Sequence, residues 1–219
     1  MWPMVLASNG GAVAAGLDAL RTSLSGTLSS GLHHARRSVG AGYCTFNGLV
    51  IAAHEVLAAG AGSVLILDLD AHCGGGTASL IAQDSRIWQL DVSVDEYDQY
   101  ESSERAWLRM VQSADAYLIV IEQGLREMLQ RGPRFDLCLY NAGMDPFEGC
   151  PDGGLPGITR EMLAARERLV FSWCRKQGLP VAFSLAGGYI GKKLDEPGLV
   201  DLHRLTLSAA AESDIIRRR

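Results

Sequence analysis

The sequence predicts an α/β fold in which a parallel sheet is covered by helices on both faces. Short apolar runs (VLIL, IWQL, LCLY and VAFSL) alternate with helix-length segments, the order expected of βαβ units. The runs are continuous rather than alternating with polar residues, as strands buried on both faces must be. The unusual polar residues fall just past the runs, as DLDAH, NAGMD and LAGGY, and in such sheets sites lie beyond the carboxyl ends of the strands.

Residues 10–24, GGAVAAGLDALRTSL, are Ala/Leu-rich and predict a helix, followed by a Gly/Ser/His-rich loop over 26–45. A buried helix is expected over 46–60, ending at Gly60. SVLILDLD gives the first strand, with a short helix near Thr77 to Gln83 after it. RIWQLDV, Arg86 to Val92, is the second strand, and SVDEYDQYESS over 93–103 is a polar, aromatic-dotted loop. Residues 104–131 read as a long helical stretch broken once. FDLCLYN, Phe135 to Asn141, is the third strand and enters a Gly/Pro-rich loop. Residues 158–177 are a helix with apolar Ile158, Met162, Leu163, Leu169 and Trp173. LPVAFSL, Leu179 to Leu185, is the fourth strand, and a last helix covers 197–212 before a frayed tail over 213–219. No repeat or linker divides the chain, so 1–219 is expected to be one domain, with a helix and loop over 1–32.

Composition narrows the function classes. The 219 residues are 47% hydrophobic and 21% charged, ordinary for one globular core. A net charge of -5 without a basic run argues against direct nucleic-acid binding. No apolar run reaches membrane-spanning length and the start lacks a signal-peptide pattern, so a cytoplasmic protein is expected. The five cysteines, Cys44, Cys73, Cys138, Cys150 and Cys174, are irregularly spaced with no CxxC pair, as for reduced thiols.

The sharpest chemical signal is SVLILDLDAHCGGG. If extended backbone persists past the run, Asp68, Asp70 and His72 share one face. Carboxylates that close repel unless a cation or donor lies between them, and mixed oxygen and nitrogen ligands suit zinc or another first-row ion. The bland alternative is helix capping by the aspartates with a polar loop histidine. The other signals are weaker singly. The tandem His33-His34 has a chance reading, Asp145 a turn or cap reading, and Gly187-Gly188-Tyr189 a turn with a packing tyrosine.

Taken together and in order, HHA, GYCTFN, DLDAH, NAGMD and AGGY resemble the histone deacetylase superfamily, in particular its bacterial acetoin-utilisation and acetylpolyamine amidohydrolase-like branch. The resemblance covers roughly Gly10 to Ala210 and implies an arginase/deacetylase-like α/β fold, here N-terminally shortened. It implies one zinc ion per chain held by Asp70, His72 and Asp145, with an open position. Asp68 matches the aspartate that supports the first histidine and a structural monovalent cation, usually K+, and Asp91 stands where many relatives have a serine near that cation. His33 and His34 match proton-handling histidines, and Tyr189 the tyrosine that polarises the substrate carbonyl. Gly42 and Tyr43 match the acyl-tunnel lining, completed by Gly187 and Gly188, with Tyr97 and Tyr100 as the opposite wall. The implied activity is zinc-dependent removal of an acyl group, in first place acetyl, from acetyl-lysine or an acetylpolyamine. Acidic Asp95, Glu96 and Asp98 would favour a cationic amine; a solvated acidic loop is the plain alternative.

The chain departs from the pattern in three places. Thirty-two residues precede His33, far fewer than relatives carry, so an incomplete sheet edge would be covered by a second copy and a homo-oligomer is expected. Many relatives have a second histidine at Cys73 and an Asp or Asn at Gly75 that bonds the second tandem histidine, which Gly75 does not supply. Asp91 adds a carboxylate beside the cation site. The alternatives are a catalytically degenerate homologue binding an acyl ligand or partner, and a dimanganese ureohydrolase-like enzyme, which would need further ligands beside Asp145. A phosphate loop at CGGGT is weaker, because no GK[ST] follows.

Overall fold

The computed structural model describes residues 2–217. Its sheet has six strands, all parallel, in the order β1-β6-β5-β2-β3-β4. The strands are β1 (Leu24–Thr27), β2 (Val64–Asp68), β3 (Ile87–Ser93), β4 (Ala106–Met110), β5 (Leu137–Gly143) and β6 (Val181–Ala186). The helices are α1 (Trp2–Thr22), α2 (Gly48–Ala58), α3 (Gly75–Ile81), α4 (Ala114–Arg131), α5 (Arg160–Gln177) and α6 (Glu196–Arg217).

The continuous apolar runs are divided between two cores by the period of the strand. Along β2, Val64 and Ile66 face one layer with Ala12, Ala15 and Ala19 of α1, Leu49 and Val56 of α2, and Ile81 of α3. Leu65 and Leu67 face the other, with Tyr117, Ile121 and Leu125 of α4 and Val170 and Phe171 of α5. All five residues of β2 are buried, so truncating Leu65 or Leu67 to alanine would cost about 2–5 kcal/mol. Local signals set the helix ends. Asn47 caps α2 by accepting from Val50 N at 3.1 Å. Thr159 caps α5 in the same way, and Gly178 closes it at φ 62.

The structure corrects four boundaries. α1 begins at Trp2, well before residue 10, because Val5, Asn9, Ala12, Ala15 and Ala19 continue one buried stripe at helical spacing. Part of the expected 26–45 loop belongs to β1, a four-residue strand pairing only with β6. Residues 106–110, expected helical, form β4 on the opposite edge, with Trp107 set edge-on to Trp88 at 6.2 Å. Pairing to β3 and the buried indole outweigh the helical propensity of AWLRM. The last helix continues to Arg217 where a frayed tail was expected; Arg218 and Arg219 lie outside the described residues. The five cysteines are buried and unbridged. Among the described residues no helix is long and apolar enough to cross a membrane.

Register brings the chemistry together. Asp68 sits beside Asp91 of β3 and Asn141 of β5 at the carboxyl end of the sheet. The segments leaving β1, β2, β3, β5 and β6 at that end carry every candidate site residue except Asp91, which lies within β3 itself, and Asp68, the last residue of β2.

Candidate active site

β2 ends at Asp68 and the backbone bends before His72, so the face shared by DxDxH is not that of a continuing strand. The bend sorts the three residues. Asp70 and His72 turn toward Asp145, which follows β5, and their ligand atoms lie within 4.8 Å of one another. His72 Nδ1 is 3.1 Å from Asp70 Oδ1 and 3.0 Å from Asp145 Oδ2. Asp68 points the other way, accepting from His33 Nδ1 at 2.8 Å and from Asn141 Nδ2 at 2.8 Å.

All three converging side chains are buried. Burial and the nearby Asp70 charge push Asp145 up to about 7, against the His72 hydrogen bond. Burial works to raise Asp70 as well, but His33 and His72 hold it below the usual carboxylate range. Against its own burial, His72 is driven up to about 11 by hydrogen bonds and charges from Asp145 and Asp70. Two carboxylates this close in a buried site repel each other, the condition a bound cation relieves. Gly187, at φ 56, permits this crowding: a Cβ there would lie 2.2 Å from Asp145 Oδ1.

Above this floor lies an open cleft. His34, Gly42, Tyr43, His72, Asp95, Tyr97, Asp152 and Tyr189 line one part of it, and His33, Asp70, Gly187 and Gly188 line the adjoining part. The His33 and His34 rings stack at 3.9 Å between centroids. His33 Nε2 lies 3.6 Å from Asp70 Oδ1. The Tyr189 ring is 6.1 Å from that of His72, and burial with the Asp145 and Asp70 charges raises the pKa of its hydroxyl, keeping it a donor.

The cleft therefore gathers most of the residues singled out in the sequence. Tyr100 is the exception: it packs against the core beneath α1–α3, its hydroxyl is buried without a hydrogen-bond partner, and Tyr97 forms that wall instead. Asp91 is fully buried behind the floor and accepts from Gly74 N at 2.7 Å. Its pKa is pushed up to about 8, first by burial and then by the Asp68 charge. Of the acidic loop residues, Asp95 lines the cleft but Asp98 turns inward onto His34. Two roles went unread in the sequence: the Asp98 bond, and Asp152, whose Oδ1 lies 3.5 Å from His72 Nε2. Each sits in a polar loop, where spacing gives no orientation.

Known proteins supply an independent comparison. The chain is 32% identical over 211 residues to an uncharacterised protein of the cyanobacterium Picosynechococcus, covering 94% of this chain and 69% of that protein. It is 29% identical over 170 residues to histone deacetylase 2 of Arabidopsis thaliana, covering 74% of this chain but 43% of the relative. Among solved structures it superposes on an acetylpolyamine aminohydrolase from Burkholderia pseudomallei with a TM-score of 0.79 at 20% identity, over 96% of this chain and 63% of that one. The HD domain of HDA15 gives 0.72 at 19% identity, over 94% of this chain and 61% of that one. These structural likenesses establish the arginase/deacetylase-like fold. The histone deacetylase domain model matches residues 1–197, and with that match the chain belongs to the histone deacetylase family.

Proposed function

We propose that the chain is a zinc-dependent amidohydrolase that removes an acyl group, in first place acetyl, from an amine such as acetyl-lysine or an acetylpolyamine. The observation that carries the reading is the convergence of Asp70, His72 and Asp145 beneath a cleft bordered by His33, His34 and Tyr189. The donor set fits zinc: two carboxylates and one imidazole, three protein ligands with room for a fourth. His72 Nδ1 lies 3.1 and 3.0 Å from the two carboxylate oxygens, and all three ligand atoms lie within 4.8 Å of one another, close enough to share one ion. When bound, zinc would supply the charge that polarises the amide carbonyl and acidifies an attacking water.

The chain's own groups would do the rest. His34, held at Nδ1, offers Nε2 to take the water proton. His33, fixed by Asp68 with Nε2 toward Asp70, ties the floor to the sheet and stacks beneath His34. The Tyr189 hydroxyl donates to the carbonyl oxygen as it gains charge, and a histidine returns the proton to the departing amine. Asp95 and Asp152 at the cleft, with Tyr43 and Tyr97, suit an amine that carries a second positive charge. A monovalent cation, in first place K+, would be held by Asp68 and Asp91, which sit side by side on β2 and β3.

Zinc analysis paired with steady-state kinetics on an acetyl-lysine peptide and an acetylated polyamine tests this. Wild type is expected to turn over at least one of them, and Tyr189→Phe to lose about 10²–10³ in kcat with zinc content unchanged. Zinc-loaded wild type inert toward every acyl amine would overturn the reading.

A further inference from the structure

We propose that Asp98 is the positioning residue of His34, and that the missing side chain at Gly75 is what admits it. For the work His34 does, this rests on the hydrolase reading above. How His34 is held stands on geometry alone.

The Asp98 carboxylate is 8% exposed and engaged on both oxygens. Oδ2 accepts from His34 Nδ1 at 3.0 Å and from the Gly76 backbone N–H at 3.0 Å. Oδ1 accepts from the Arg36 guanidinium. An ionised carboxylate only accepts, so His34 carries its proton on Nδ1 and, while neutral, presents a bare Nε2. Besides His34 itself, Arg36 two residues along the same loop and the Gly76 N–H at the start of α3 hold the carboxylate, and through it the tautomer and tilt of the ring.

Gly75 explains why a loop residue performs this task. A Cβ at Gly75 would lie 2.3 Å from the Asp98 carbonyl oxygen and 2.8 Å from Asp98 Oδ1. Any side chain there and the present course of the loop exclude each other. Asp98 also holds φ 61, a left-handed conformation that costs a non-glycine residue free energy and persists only where its surroundings enforce it. This chain clears that position and brings the carboxylate in from the segment after β3.

Nitrogen-15 NMR of the imidazoles in zinc-loaded protein, with the His34 signals identified by their loss in His34→Asn, reads the positioning directly. Wild type should show His34 protonated at Nδ1 alone, and Asp98→Ala a mixture of tautomers. Asp98→Asn, which keeps the shape, should lower kcat by roughly 10–100-fold with KM, zinc content and melting temperature nearly unchanged. Gly75→Asp should be damaging alone, while Gly75→Asp with Asp98→Ala should be no worse than the poorer single variant, because both act through one contact. An unchanged His34 tautomer in Asp98→Ala would overturn the proposal, as would wild-type kcat in Asp98→Asn. So would activity lost only in step with zinc or fold, or additive losses in the double variant. If wild type proves inert toward acyl amines, the hydrolase reading fails, and the tautomer comparison still decides how His34 is held.

Discussion

His33 and His34 are neighbours in the chain with stacked rings, yet each is held by a different kind of structure. The carboxylate that holds His33 belongs to Asp68, the last residue of a central strand, fully buried and bonded also to Asn141 and to the Asp70 N–H. The carboxylate that holds His34 belongs to Asp98, on a loop in a left-handed conformation, latched to Arg36, whose side chain is 38% exposed. The first histidine is wired into the sheet and, through Asp70, into the Asp70–His72–Asp145 floor; the second is wired into a rim. Despite burial, Asp68 and Asp70 raise His33 well above its ordinary value, so in the metal-free chain it is a cation within the core electrostatics. Changes around His33 should therefore act on fold and metal together, and changes around His34 on turnover more than on fold.

The largest effect that follows is on Asp68. Asp68→Ala leaves the His33 cation and the Asn141 amide without their buried acceptor, and breaking a buried pair from one side costs about 3–5 kcal/mol. Asp98→Ala removes a more peripheral carboxylate and should cost about 1–2 kcal/mol. Denaturant unfolding of the two variants beside wild type measures the gap, and equal losses would erase the distinction between sheet-held and loop-held histidine.

The same contrast governed what could be read in advance. β2, β5 and β6 were legible because a buried strand leaves an uninterrupted apolar run, and Asp70, His72 and Asp145 because they follow such runs directly. The edge strands were not. LSGT has no apolar run, and AWLRM is as compatible with a helix as with a strand until β3 offers it hydrogen bonds. Asp98 is one of several acids in DEYDQY, and nothing in their spacing says which faces inward. Tyr97 and Tyr100 were equivalent candidates for the cleft wall until the loop's turn sent only Tyr97 there.

A second, smaller effect concerns metal removal and belongs to the His33 side alone. Unfolded, Asp145 ionises near its ordinary 3.8, whereas in the metal-free fold it keeps its proton up to about 7. Across that window the folded state binds more protons, so the stability of chelated protein should fall as pH rises from about 4 to about 7, and the raised Asp91, His72 and His33 continue the fall above it. Zinc, by keeping both carboxylates ionised, should remove the Asp145 share of that slope and raise the melting temperature most near neutral pH. Melts of stripped and zinc-loaded protein at several pH values decide it. A stripped protein that melts at one temperature throughout would mean that the floor is not the electrostatic unit its geometry describes.

The smallest effect isolates the rim. Arg36→Ala removes the guanidinium from Asp98 Oδ1 but leaves His34 and the Gly76 N–H on Oδ2. A partly exposed ion pair contributes about 0.2–1 kcal/mol, so a loosened Asp98 should lower kcat by roughly 2- to 5-fold and leave zinc content unchanged. The order of severity is then Asp98→Ala first and Arg36→Ala well behind it, since only the former takes the acceptor from His34. If Arg36→Ala is as damaging as Asp98→Ala, the latch between the two loops matters more than the bond to the imidazole. His34 would then depend on the rim's overall placement, and the contrast with His33 would be one of loop rigidity rather than of which carboxylate holds which ring.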